Sequence, residues 1–138
     1  MAKDKLHLLV KEVLINDGWH ITHDPYQLKA LGMDYEVDIG AEQVIAAEKE
    51  AKKIAVEVKS FMAGSMSYDF HTILGQCLNY IIGLEVKEPD RMLYLAVPFE
   101  VYNTFFQREG VQIALKRVHV NLIIFEPQQK TIHQWIEN

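Results

Sequence analysis

The sequence predicts an α/β domain, a mixed sheet with helices on its faces, and three observations carry that prediction. Apolar residues recur at helical spacing in some segments, they alternate with polar residues in others, and the two periods interleave along the chain. With 138 residues, 49% of them hydrophobic and 24% charged, the chain can build one core and is too short for two ordinary domains, so residues 1–138 read as a single unit. This composition excludes disordered, collagen-like and mucin-like chains.

Leu6, Leu9, Val10, Val13 and Leu14 mark an opening amphipathic helix that Asn16-Asp17-Gly18 stops. Trp19 to Thr22 reads as a short strand, and a polar connection then runs from His23-Asp24-Pro25 to Gly32-Met33-Asp34. From Tyr35 the period becomes two: Tyr35, Val37 and Ile39 alternate with Glu36, Asp38 and Gly40, in a strand or bulged hairpin that continues through Val44 to Glu48. Residues Lys49 to Lys53 read as a turn, and Ile54, Val56 and Val58 alternate with Ala55, Glu57 and Lys59 in a half-buried strand. After the break at Gly64-Ser65-Met66-Ser67, Phe70, Ile73, Leu74, Cys77, Leu78 and Ile81 predict a second helix ending near Gly83. Met92 to Val97 predicts a buried central strand, and Pro98 opens a helix carrying Val101, Tyr102, Phe105 and Phe106. Gly110 interrupts that helix before a short piece from Val111 to Arg117. Leu122 to Phe125 and Thr131 to Ile136 close the chain as a hairpin around Glu126 to Lys130.

Fourteen basic against nineteen acidic residues give a net charge of −5, which argues against nucleic-acid binding by bulk positive charge. A nuclease stays open, because a bound divalent cation neutralises local carboxylates and presents positive charge to phosphate. Cys77 is the single cysteine, so neither an intramolecular disulfide nor a cysteine zinc site is available, and a reducing cytoplasm fits. Lysines at 3, 5 and 11 break up the N-terminal apolar residues, so this segment reads as mature sequence rather than a signal peptide. No stretch approaches the roughly 20 apolar residues of a membrane span, and a soluble protein away from membranes is expected.

Asp38, Glu57 and Lys59 are the most informative side chains, because each takes a polar position in a strand whose alternate positions are apolar. Alternation sets Glu57 and Lys59 on one face. If the two strands are antiparallel neighbours, Asp38 reaches the same patch, and the paired carboxylates would hold Mg²⁺ or Mn²⁺ with the Val58 carbonyl as a further ligand. Lys59 would then orient or deprotonate a water and stabilise charge on a scissile phosphate. The competing reading is an edge strand with two solubilising charges in a surface ion pair.

Asp38 followed nineteen positions later by Glu57-Val58-Lys59 resembles the PD-(D/E)XK nuclease superfamily, with Val37 where its name has proline. Gln76 and Tyr80, four apart on the following helix, resemble the extra motif of that superfamily's RecB-type branch, in which both side chains line the cleft. Over almost its whole length the chain is similar to the XisH family, the fdxN-element excision controlling factors of cyanobacteria. Leu14 to Trp19, Asp38 to Glu42, Ile54 to Phe61, Gly75-Gln76 and Asp90 to Pro98 carry this similarity. It implies a restriction-endonuclease-like fold with an α-β-β-β-α-β core, and a role beside a XisI-like partner in developmentally timed excision of a DNA element. Two functions follow. One is a Mg²⁺- or Mn²⁺-dependent endodeoxyribonuclease using Asp38, Glu57, Lys59, Gln76 and Tyr80, and the other is a non-catalytic subunit that regulates a recombinase through protein and DNA contacts. An acidic chain of this size is also compatible with a homo-oligomer that assembles a DNA-sized surface.

Other polar residues carry blander readings. His20 and His23 fall on opposite strand faces and, with Asp24, make a poor metal cluster. Glu12 reads as a solvated helix face, with a carboxylate beside the metal as the alternative. Glu42, and after it Glu48, would add a ligand if the strand bulges at Gly40. Ser60 touches either phosphate or backbone, and Cys77 is packed core. His133 and Trp135 form an exposed strand face open to an interface. His71, His119 and Lys116-Arg117 are solvated surface, the basic pair also being placed to touch DNA.

Overall fold

The computed structural model describes residues 2–44, 51–61 and 64–138. Glu48 and the first residues of the turn expected after it lie outside them.

Helix α1 (Ala2–Asn16) leads into five strands: β1 (His20–His23), β2 (Tyr26–Ala30), β3 (Met33–Val37), β4 (Ile39–Val44) and β5 (Ala51–Val58). Helix α2 (Met66–Lys87), β6 (Arg91–Pro98), the short α3 (Phe99–Tyr102), a 3-10 turn (Phe105–Gln107), α4 (Glu109–Val118), β7 (Asn121–Glu126) and β8 (Thr131–Ile136) follow. Six strands form one mixed sheet in the order β1-β4-β5-β6-β7-β8, antiparallel at both ends and parallel across β5, β6 and β7. The α-β-β-β-α-β order is present as α1, β1, β4, β5, α2 and β6, with the β2–β3 hairpin inserted between β1 and β4. A six-stranded mixed sheet flanked by helices is consistent with a nuclease-like α/β architecture.

Alternation along β5 and its neighbours gives the sheet two apolar faces. Ile54, Val56 and Val58 join Ile39, Ala41, Tyr94, Ala96, Ile123 and Phe125 against Val10, Val13 and Leu14 of α1. Ala55, Leu93, Leu95, Val97, Leu122 and Ile124 face the other way, toward α2, α4 and the hairpin. Central β5 is therefore buried on both faces from Ile54 to Val58, and it is neither an edge strand nor the half-buried strand its alternation suggested.

Several elements depart from the pattern read in the sequence, each for a packing reason. The alternation from Tyr35 to Ile39 is two strands, because Val37 enters the α2-side core and Ile39 the α1-side core, and the chain changes faces at Asp38. Half of the polar connection is β2, whose Tyr26 and Leu28 are buried. Gly40 pairs in unbroken register with Ala55, and the irregularity lies across from it in β1, between Ile21 and His23. Helix α2 runs one turn past Gly83, which is buried there because a side chain would come within 3.1 Å of Leu28. Gly110 sits inside the first turn of α4, and the helical break falls earlier, around Asn103 and Thr104. Trp135 is not an open interface residue: its ring lies 5.7 Å from Trp19 and 5.0 Å from Tyr94.

A buried cation at the start of β6 ties the hairpin to the sheet. The Arg91 side chain is 2% exposed, its Nε donates to Glu88 Oε1 at 2.7 Å, and one terminal nitrogen donates to the Ile54 carbonyl at 2.9 Å. The Tyr26 hydroxyl donates to the same Glu88 oxygen at 2.7 Å, the guanidinium lies 4.7 Å from the Tyr26 ring centre, and Lys53 reaches Glu88 at 3.3 Å. Hydrogen bonding from Arg91 holds the Glu88 carboxyl down at about 2, against partial burial and with help from Tyr26 and Lys53. Burial and the facing Glu88 push the Tyr26 phenol up to about 12.

Two outcomes are expected. Leu28→Ala, which empties the contact between hairpin and α2, should cost about 2–5 kcal/mol in urea denaturation; a loss well under 1 kcal/mol would remove the hairpin from the core. Because the folded carboxyl of Glu88 lies below its ordinary 4.5, it stabilises fully above that value, and its contribution fades as pH falls from 4.5 toward 2. The stability difference between the wild type and Glu88→Gln should shrink across that window, and a difference that stays constant with pH would refute the assignment.

Candidate functional site

The crossover from hairpin to sheet sets Asp38 beside the carboxyl end of β5. There two residues hold each other by backbone-to-carboxylate bonds. The Asp38 N–H donates to Glu57 Oε1 at 3.2 Å, and the Val58 N–H donates to Asp38 Oδ2 at 2.9 Å. Glu57 projects from β5 on the α2 side, where its neighbour two residues earlier is the apolar Ala55, and it is only 7% exposed. A carboxylate at such a depth needs hydrogen bonds in place of water. The Tyr80 hydroxyl approaches Glu57 Oε2 at 3.5 Å, the outer limit of a hydrogen bond.

The expected convergence of Asp38 and Glu57 is therefore present, and Val58 joins them through its N–H. Lys59 lies just beyond β5, and its ammonium stands 3.8 Å from Asp69 in the first turn of α2. Tyr80 is buried and edge-on to Tyr35 with ring centres 5.6 Å apart, whereas Gln76, one turn earlier, is exposed on the helix flank. Burial pushes the Tyr80 phenol far up, and the charges of Glu57 and Asp38 push it further. Both carboxylates thus act on one point beside α2. Burial, and after it the charge of Glu57, also raises the Cys77 thiol, which is unsuited to a nucleophile and packed in the core as expected.

The donor set fits a hard divalent cation. Magnesium sites use one or two carboxylates completed by water and substrate phosphate, and each carboxylate offers about four lone-pair positions, of which a backbone N–H takes one. Among the described residues no group of three or more His, Cys, Asp or Glu side chains comes together, so no third side chain of these types joins the pair. The site lies at the carboxyl ends of the parallel strands, where open α/β sheets ordinarily bind their ligands.

The remaining candidates lie elsewhere. Glu42 pairs with Lys53 in register and approaches Arg91 at 3.5 Å, at the opposite end of β4 from Asp38, so it adds no ligand. Glu12 belongs to α1 on the other face of the sheet and pairs with Lys130 at 2.8 Å. Asp24 is held by His7 and Lys11, both at 2.7 Å. Burial raises its carboxyl, but the bonds and charges of Lys11 and His7 together outweigh this and lower it. His23 stacks edge-on to Tyr26, and Ser60 is half-buried beside Lys59. Sequence reasoning missed Asp69, whose signal was available: it lies seven residues before Gln76, two helical turns along the same flank of α2.

The comparisons with known proteins agree with this architecture. The family model described as XisH protein matches residues 1–133. An XisH family protein from Nostoc punctiforme superposes with a TM-score of 0.86 at 42% identity, covering 95% of this chain and 98% of that one. An fdxN element excision controlling factor protein from Anabaena variabilis gives a TM-score of 0.87 at 42% identity, covering 96% of this chain and 98% of that one. No curated protein matches. With its family model spanning nearly the whole sequence and its fold shared at this level of identity, the chain belongs to the XisH family.

Proposed function

We propose that this chain is a DNA-element excision controlling factor that hydrolyses DNA phosphodiester bonds with the help of Mg²⁺ or Mn²⁺ at Asp38 and Glu57. The observation that carries the reading is the mutual bonding of Asp38 and Glu57-Val58, which holds two carboxylates together at the mouth of the parallel strands. When bound there, a divalent cation would polarise the scissile phosphate and lower the pKa of an attacking water.

The chain's own groups do the rest. Asp38 and Glu57 supply the negative oxygens and, being fixed by backbone bonds, need little reorganisation to hold a cation. Lys59, on the same end of the sheet and two-thirds covered, offers a positive charge to a phosphate oxygen and a proton-transfer group to the water. Tyr80 donates to Glu57 and closes the inner wall, so that both Glu57 oxygens are oriented. Gln76, exposed on α2 one turn before Tyr80, is available to the nucleic acid. DNA and a XisI-like protein are the partners this role calls for.

A second reading, a subunit that keeps the fold and regulates a recombinase without cutting, is favoured by the net charge of −5, which gives no general attraction for DNA. Manganese titration followed by electron paramagnetic resonance, run alongside incubation with duplex, branched and single-stranded DNA, separates the two. Wild-type protein should bind Mn²⁺, and Glu57→Gln should lose at least the roughly 10–100-fold in affinity that the loss of an outer-shell partner costs. Lys59→Ala should keep the metal but cut DNA roughly 100–1,000-fold more slowly. Metal binding without cleavage by any preparation, with or without the XisI-like protein, would leave the regulatory reading, and cleavage that survives Lys59→Ala would refute the catalytic one.

A further inference from the structure

We infer that the outward face of α2 is the interface of a symmetric homodimer, in which α2 packs antiparallel against α2 of a second copy about a two-fold axis at Leu78. The helix is apolar on both sides. Phe70, Ile73, Cys77, Tyr80 and Leu84 are buried beneath it. On its opposite side Leu78, Ile82 and Val86 are 43%, 44% and 58% exposed. A helix with a second apolar stripe opposite its buried one ordinarily has that stripe covered as well. Tyr68, His71, Gly75, Leu78, Ile82 and Glu85 follow one another at alternating spacings of three and four, the seam of a helix-on-helix contact.

Gly75 is the second sign. It sits in the middle of a 22-residue helix, where glycine is the weakest former after proline. Nothing among the described residues requires it: a Cβ built there meets none of their atoms within 4 Å. A missing side chain on an exposed apolar seam is what the close approach of another helix backbone demands.

Complementary side chains, a histidine and a glutamate, select a second copy as the occupant. His71 and Glu85 lie seven residues to either side of Leu78 on the same seam. Antiparallel packing about Leu78 therefore sets His71 of each copy opposite Glu85 of the other, twice by symmetry, as an isologous interface requires. Among the described residues neither takes part in an ion pair or side-chain hydrogen bond, and the one contact of His71 is with the Phe70 ring at 6.4 Å. A groove of about 430 Å³ between α2 and α4, lined by Leu74 and Ala114, runs alongside and widens the apolar area. The seam faces away from Tyr80, so pairing leaves the Asp38–Glu57 end of the sheet open.

Sedimentation velocity on the full chain, from low to high micromolar concentration, tests the inference. The wild type should reach twice the 16.0 kDa mass of one chain. Leu78→Lys, which brings like charges together on the axis, should be monomeric. His71→Glu and Glu85→Lys alone should each raise the dissociation constant about tenfold, a change of about 1.4 kcal/mol, and the two combined should restore it. Gly75→Ala should weaken the dimer, yet raise the thermal midpoint in the monomeric Leu78→Lys background. These positions are all exposed, and circular dichroism checks that each variant is folded. A wild type that stays monomeric at every concentration, a dimer that survives Leu78→Lys, or a double charge variant no better than its parents would each overturn the proposal.

Discussion

Two backbone N–H groups donating to two carboxylates are the constraint around which this molecule is arranged. Asp38 bonds to Glu57 through its main chain, and the main chain next to Glu57 bonds back to the side chain of Asp38. Neither bond is possible unless the chain leaves the hairpin and enters β4 at Asp38. The same residue that changes faces between the two cores therefore brings the second carboxylate to the end of β5. A buried glutamate is costly in isolation and tolerable here because donors on two sides replace its water.

The far end of β5 is secured by a different means. Arg91 reaches across from the start of β6 to the Ile54 carbonyl, and its ion pair with Glu88 extends to the Tyr26 hydroxyl of the hairpin. Tyr26 stands opposite Val37 in register, one residue before Asp38. The position of Asp38 is thus fixed from both directions, by its own bonds to β5 and by a hairpin whose base is pinned to a buried guanidinium. Such a cation is costly to bury, and once its partners are in place it is costly to disturb.

Helix α2 serves both sides of this arrangement. Its inner face supplies Tyr80 to Glu57 and receives Leu28 at Gly83, its first turn supplies Asp69 to Lys59, and its N-terminus is capped by Ser65, whose hydroxyl accepts from the Tyr68 N–H. Its outer face carries an apolar stripe, Leu78, Ile82 and Val86, that no described residue covers. A helix committed on its inner face to the site and on its outer face to a second copy would hold the two sites of a dimer in one rigid frame.

The sequence by itself determined the class of the fold and the central strands, and it singled out the two acidic residues that the structure brings together, because periodicity and residue type are local properties. The Glu57-x-Lys59 strand, the Gln76 and Tyr80 spacing and the closing hairpin could all be read from neighbours in the chain. What the tertiary structure alone decided is what depends on distant partners. A strand that appeared continuous from Tyr35 is broken at Asp38, since Val37 and Ile39 answer to different cores. The polar run before it contains a strand because Leu28 finds Gly83 fifty-five residues later. Glu42, a ligand candidate by proximity in sequence, belongs instead to Arg91, because antiparallel pairing carries it to the other end of the sheet. Local chemistry named the side chains, and only the long-range pairing of strands could say which of them meet.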